Sequence, residues 1–162
     1  MSDRDFTHLN DRGEAHMVDV GDKEVTRRVA IAEGFVAMSP DLVARFFEGT
    51  LPKGEAVAVA RVAGIMGAKK TAELIPLCHP ISLSSVEIQL EPNAHGVAIT
   101  ATVTTQSQTG VEMEALTAVS ATALTIYDMV KGVERGVTIE TVRLRKKEGG
   151  RTGTWERPEV VD

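Results

Sequence analysis

The sequence predicts an α+β domain of ferredoxin-like topology, a split βαβ arrangement in which an antiparallel sheet carries helices on one face. Three observations predict it. Apolar residues alternate with polar ones near the start, in a central hairpin and near the end. Two long Ala-rich stretches separate those strands. Their order is strand, helix, strand, strand, helix, strand, with one short extra helix early on.

Residues 1–20 carry several charges and histidines with little periodicity and are expected to form an extended N-terminal arm. From Val25 to Val36 the apolar Val29, Ile31 and Phe35 alternate with other residues, as in a strand. Ser39 followed by Pro40 reads as a helix N-cap and first helical position, and Gly49 as that short helix's end. A second helix is expected from about Glu55 to Leu74. Its small residues Ala60, Gly64, Gly67 and Ala68 imply close packing against another element.

Pro76 and Pro80 bracket a loop. Val86, Ile88 and Leu90 then make a strand, Asn93 to Gly96 a turn, and Val97, Ile99, Ala101 and Val103 the returning strand of a hairpin. A long helix runs from Thr109 to Gly132, and Val137, Ile139, Val142 and Leu144 form the last strand. The division is an arm over 1–20, one ferredoxin-like domain over 21–148, and a Gly-containing loop with a flexible, irregular tail over 149–162.

The long helix is the most informative segment. At about 100° per residue, Val111, Ala115, Ala118, Thr122, Met129 and Val133 share one stripe, while Leu116, Ser120, Leu124 and Tyr127 fall roughly opposite. Such a helix is expected to be buried on two sides, which makes self-association an expectation as well. Between the two faces lies a narrow strip of Glu114, Thr117, Ala121 and Asp128, with Lys131 one turn beyond Asp128. Charges floored by small side chains suggest a polar pocket.

Composition narrows the partners. The chain has 162 residues and a net charge of −5, so a general nucleic-acid surface is not expected. Basic residues nevertheless gather at Lys69 and Lys70, and at Arg143, Arg145, Lys146, Lys147 and Arg151, which suits a small anion better than a polymer. Cys78 is the single cysteine, so no internal disulfide forms and a reducing, cytoplasmic setting is expected. No run approaches the roughly 20 apolar residues of a membrane span.

Taken singly, most candidates have ordinary readings. Asp128 and Lys131, spaced i, i+3, would be a surface ion pair on a solvated helix, but the apolar surroundings favour a functional pair. Glu112 and Glu114 in the first turn interact favourably with the helix dipole. His79 beside Cys78 lies in a proline-bracketed loop without metal-ligand spacing. Lys53, between Pro52 and Gly54, could deliver an ammonium from a loop to an anion, and the glycines of KKEGGRTG could bring backbone amides and Lys147 or Arg151 near phosphate oxygens.

The segments GEAHMVDV (Gly13 to Val20), ARVAGIMGAKKT (Ala60 to Thr71), LIPLCHP (Leu74 to Pro80), TGVEMEALTA (Thr109 to Ala118) and LTIYDMVKG (Leu124 to Gly132) closely resemble those of the MoaC family. The resemblance runs from about residue 6 to residue 153. It implies the ferredoxin-like fold, a hexamer built as a trimer of dimers with active sites at dimer interfaces, and a lyase activity in molybdenum cofactor biosynthesis. The implied substrate is 3',8-cyclo-7,8-dihydroguanosine 5'-triphosphate, and the implied products are cyclic pyranopterin monophosphate and pyrophosphate.

By motif, the resemblance implies Asp128 and Lys131 as catalytic residues. It implies substrate contacts at Leu77, Cys78, His79, Met113 and Glu114, and further site residues at Glu112, Lys53, Lys69, Lys147 and Arg28. On these terms Lys131 acts as acid or base in a partly buried pair oriented by Asp128, and Glu112 or Glu114 meets the guanidine-like edge of the base. Lys53, Lys69, Lys147 and Arg28 bind the triphosphate, and His79 serves either as a second proton carrier or as an orienting donor. No cofactor is required, although magnesium can accompany the triphosphate. Lys53, on a loop, is expected to reach the site from a different chain than Asp128.

Two other classes fit a fold of this kind. A non-catalytic metabolite sensor would bind a nucleotide without turnover. An RNA-binding module would display aromatics on its sheet, and with 4% aromatic residues and none on the two hairpin strands this reading is poor.

Overall fold

A computed structural model describes residues 9–10 and 12–158 of the chain. Parts of the predicted arm (1–8 and 11) and tail (159–162) lie outside the described residues. The elements follow the predicted order: β1 (Thr26–Ala37), α1 (Pro40–Glu48), α2 (Ala56–Lys69), α3 (Thr71–Leu74), β2 (Ser85–Asn93), β3 (Gly96–Ser107), α4 (Glu112–Val130), β4 (Thr138–Glu148) and β5 (Trp155–Glu156). The strands form one antiparallel sheet in the order β2-β3-β1-β4-β5, whose first four strands have the ferredoxin-like arrangement.

Local chemistry explains the early elements. Ser39 accepts a hydrogen bond from the Leu42 backbone N–H, Pro40 occupies the first helical position, and Gly49 closes α1. Ser39 is held in turn by Glu134, whose carboxylate accepts from the Ser39 hydroxyl at 2.5 Å and from its backbone N–H at 3.2 Å. This clamp ties the start of α1 to the loop beyond α4.

The core lies between the sheet and the helices. Ala30, Ala32 and Val36 of β1 and Val97, Ile99, Ala101 and Val103 of β3 meet Val119, Ala123, Ile126 and Val130 of α4. On β3 the alternation read from the sequence marks the buried face, whereas on β1 the core face is the opposite one, Ala30, Ala32 and Val36, and Ile31 and Phe35 are only half-buried. On α2 the fully buried positions Ala56, Ala60, Gly64 and Ala68 recur every fourth residue and face α4. A side chain at Gly64 would overlap Thr122 Oγ1, and one at Gly67 would lie 2.7 Å from the Ala121 methyl, so small residues bring these two helices together.

The structure differs from the sequence reading in three places. The Ala-rich segment is two helices, because α2 ends at Lys69 and α3 starts anew at Thr71, whose hydroxyl bonds the Gly67 and Ala68 carbonyls. The tail is not wholly irregular. Trp155 and Glu156 pair with Lys147 and Lys146 of β4, a contact set by non-local backbone bonds and invisible to periodicity. On the single chain α4 packs against the sheet and α2, but on the opposite stripe Leu116, Ser120 and Tyr127 are only half-buried and Leu124 is 62% exposed, so the second predicted buried face is only partly covered. Among the described residues no helix is long and apolar enough to cross a membrane.

Candidate active site

Helix α4 carries the candidate residues at its two ends. At its C-terminal end Asp128 accepts from Lys131 Nζ at 2.7 Å on one carboxylate oxygen and from Lys53 Nζ at 2.8 Å on the other. Lys53 also donates to the Asp128 main-chain carbonyl at 2.7 Å. The hydrogen bonds from Lys131 and then Lys53 hold the Asp128 carboxyl down to about 2. The same bond to Asp128 raises Lys131 above the ordinary lysine range.

Two sequence expectations are corrected here. The pair is not partly buried on the single chain, since the Asp128 side chain is 56% exposed. Its apolar neighbours Ile126, Met129 and Val130 are buried, while Asp128 occupies the exposed side of the same turn. Lys53 also joins Asp128 within one chain rather than arriving from another, because the loop after α1 folds back against the end of α4.

At the N-terminal end of α4 the other candidates gather. Leu77, Cys78, His79, Glu112, Met113 and Glu114 line a pocket of about 290 Å³, together with Val18, Val20 and Lys23. Glu114 is 5% exposed, and burial, aided by the nearby charge of Glu112, raises its pKa despite an opposing backbone hydrogen bond. Burial, with a smaller contribution from Glu114, raises the Cys78 thiol too, so it stays protonated and is a poor nucleophile. The His79 Nε2 lies 2.7 Å from the Val18 carbonyl, which can only accept, so Nε2 carries the proton and the arm fixes the ring.

Two further cavities adjoin this pocket. One of about 280 Å³ shares His79 and Glu114 and brings in Lys69. Another of about 760 Å³ shares Lys23, Thr109, Gly110 and Glu112 and adds the cations Arg28, Lys147 and Arg151 beside the carboxylates Asp22 and Glu24. Arg28 Nη2 donates to the Gln108 carbonyl at 3.3 Å, while its buried Nε has no partner. A buried guanidinium nitrogen left unpaired beside lysines suits an oxyanion. Among the described residues no three His, Cys, Asp or Glu side chains gather closely enough to hold a metal ion.

One chain thus brings together two groups that it keeps apart. Glu114 and Asp128 lie on the same side of α4 but about 21 Å apart along its axis at 1.5 Å per residue. Sequence reasoning missed Lys23, Val18 and Val20 as pocket residues. Lys23 has no local signature beyond its charge, and the two valines act through backbone and bulk in a segment without periodicity.

Comparison with known proteins adds an independent line. Residues 17–150 match the MoaC family. A protein of Chloroflexus aurantiacus named cyclic pyranopterin monophosphate synthase is 57% identical over 156 residues, covering 95% of this chain and 96% of the relative. Proteins of the same name from Dinoroseobacter shibae (59% over 153 residues, 93% and 97% covered) and Thermomicrobium roseum (55% over 155 residues, 94% and 93% covered) are similar over comparable spans.

Proposed function

The chain belongs to the MoaC family, and from that premise we propose that it is a lyase of molybdenum cofactor biosynthesis, converting 3',8-cyclo-7,8-dihydroguanosine 5'-triphosphate to cyclic pyranopterin monophosphate and pyrophosphate. The observation that carries this reading is the pairing of a basin holding Arg28, with its unpartnered Nε, Lys147 and Arg151 at one end of α4 with a Lys–Asp–Lys cluster at the other. The first suits a triphosphate and the second suits proton transfer.

Rearranging the cyclised dihydroguanosine moves protons among ring nitrogens and sugar carbons and closes a cyclic phosphate. Lys131, kept protonated by Asp128, acts first as a proton donor. Asp128 is too acidic to serve as an effective base near neutral pH and instead orients both ammonium groups. Glu114, made a weaker acid by burial, and Glu112 receive N–H donors of the base, and His79 has Nδ1 left to accept a proton. Arg28, Lys147 and Lys69 stabilise the phosphates and the departing pyrophosphate. Lys53 serves the catalytic cluster rather than the triphosphate. A magnesium ion accompanying the substrate would be held mainly by phosphate oxygens.

The two ends of α4 act together when a second copy packs antiparallel across the partly covered stripe around Leu124, so that Asp128 and Lys131 of one copy complete the basin of the other. In this reading the chain works as a dimer within a hexamer. Incubating the purified protein with the cyclised GTP intermediate and measuring oxidised pterin fluorescence tests the activity. Fluorescence that rises with enzyme concentration is expected. Nucleotide binding without product would favour the sensor reading instead.

A further inference from the structure

We propose that the β4–β5 hairpin positions the oxyanion site, with Gly150 seating the Arg28 guanidinium and Thr152 tethering the Lys147 ammonium. The inference rests on the triphosphate reading of the basin and assigns work to a tail segment that the reaction itself leaves unused.

The hairpin is pinned at both feet. Lys147 pairs with Trp155 and Lys146 with Glu156. Just beyond, the Arg157 backbone N–H donates to the Arg145 carbonyl at 2.8 Å, and its Nε donates to the Leu144 carbonyl at 2.8 Å. The Arg157 guanidinium also stands 5.7 Å from the centre of the Trp155 ring. The turn between these feet therefore has a fixed position over the end of β4.

Within the turn, Gly149 and Gly150 have φ of 91° and 78°, which side-chain-bearing residues rarely adopt. At Gly150 a methyl group would overlap Arg28 Nη1. The guanidinium thus lies between the Gly150 backbone and the Gln108 carbonyl, with Nε directed to no protein acceptor. Thr152 takes up the neighbouring cation, because its hydroxyl accepts from Lys147 Nζ. Arg28, Lys147 and Thr152 all line the same basin.

The physical need is clear. Two like charges repel, and long cationic side chains lose conformational freedom when a ligand orders them. A turn that fixes both beforehand reduces that loss on binding. Bulk at Gly150 displaces Arg28, and loss of the Thr152 hydroxyl frees Lys147.

Calorimetric titration with GTP tests this on the full chain, using Arg28→Ala, Lys147→Ala, Gly150→Ala, Thr152→Val, Thr152→Ser and the Gly150→Ala/Arg28→Ala double variant. Gly150→Ala should weaken GTP binding by about tenfold. The double variant should bind no more weakly than Arg28→Ala alone, since both changes remove one interaction. Thr152→Val should weaken binding and Thr152→Ser should restore it. Additive losses in the double variant, or wild-type affinity for Thr152→Val, would overturn the inference. If Gly150→Ala fails to fold, the Thr152 pair decides. Undiminished binding by both Arg28→Ala and Lys147→Ala would remove the oxyanion site itself and the positioning role with it. Weakened binding by those two alone would remove only the positioning role.

Discussion

Lys53 and Asp128, 75 residues apart, are joined twice: the Lys53 ammonium donates to the Asp128 carboxylate at 2.8 Å and to its main-chain carbonyl at 2.7 Å. Lys131 takes the other carboxylate oxygen, so one anion orders two cations at the end of α4. The catalytic reading of this cluster has consequences for turnover, titration and subunit exchange.

Lys131→Ala and Asp128→Asn should each lower turnover by about 100-fold or more, the first by removing the proton donor and the second by releasing the ammonium groups it orients. Binding of GTP, which fills the phosphate basin far along α4, should change little. Calorimetry and product assays separate the two. Lost binding with retained turnover at saturating substrate would reverse the assignment.

The Asp128 carboxyl should titrate near pH 2 when followed by carbon-13 NMR. Its folded-state value lies below the unfolded one of about 3.9, so the stability it contributes is present above that pH and is lost as pH falls through about 2. The neighbouring Lys131 should respond to the same partner. In Asp128→Asn its titration should move down toward the ordinary lysine value. A Lys131 midpoint unaffected by that substitution would mean that the two charges are not coupled in solution.

Glu114 should behave in the opposite sense. Because burial raises its folded-state pKa, the unfolded chain releases the proton first as pH rises, and stability falls between about pH 4.3 and the raised value. Glu114→Gln should remove that fall. Urea midpoints at pH 4 and pH 7 measure it, and an unchanged difference between the two pH values would place Glu114 in water rather than in the pocket.

Much of this was legible in the sequence. Alternation in β1 and β3, the Ser39–Pro40 start of α1 and the fourfold spacing of small residues on α2 are local patterns with direct physical meaning, and each corresponds to an observed element. The site divided differently. Helical angle puts Glu114 and Asp128 on one side of α4, but their 14-residue spacing sets them about 21 Å apart along it, so the single strip holds two centres. Lys53 was misplaced because its partner is reached by a long-range fold of the loop after α1. The β5 contact and the Val18 carbonyl on His79 are backbone interactions, which side-chain patterns do not encode.

Lys147→Ala should weaken GTP binding, and the deficit should shrink as added salt screens the attraction. Titrations at low and high ionic strength measure this. A deficit independent of salt would assign Lys147 to the packing of the hairpin instead of the phosphate basin.

Subunit exchange between deficient variants tests the composite site most directly. Asp128→Asn and Lys147→Ala, each deficient alone at substrate concentrations too low to saturate the Lys147 variant, should recover activity when unfolded together and reassembled, because one site in every mixed dimer receives both intact residues. Random pairing sets the recovery at about 25% of wild type. Lys53→Ala mixed with Asp128→Asn should recover nothing, since the structure joins these residues on one chain and every site would carry a defect. Recovery from the Lys53 pair would contradict the single-chain cluster of Lys53 and Asp128, and none from the Lys147 pair despite verified exchange would contradict an active site shared between two copies.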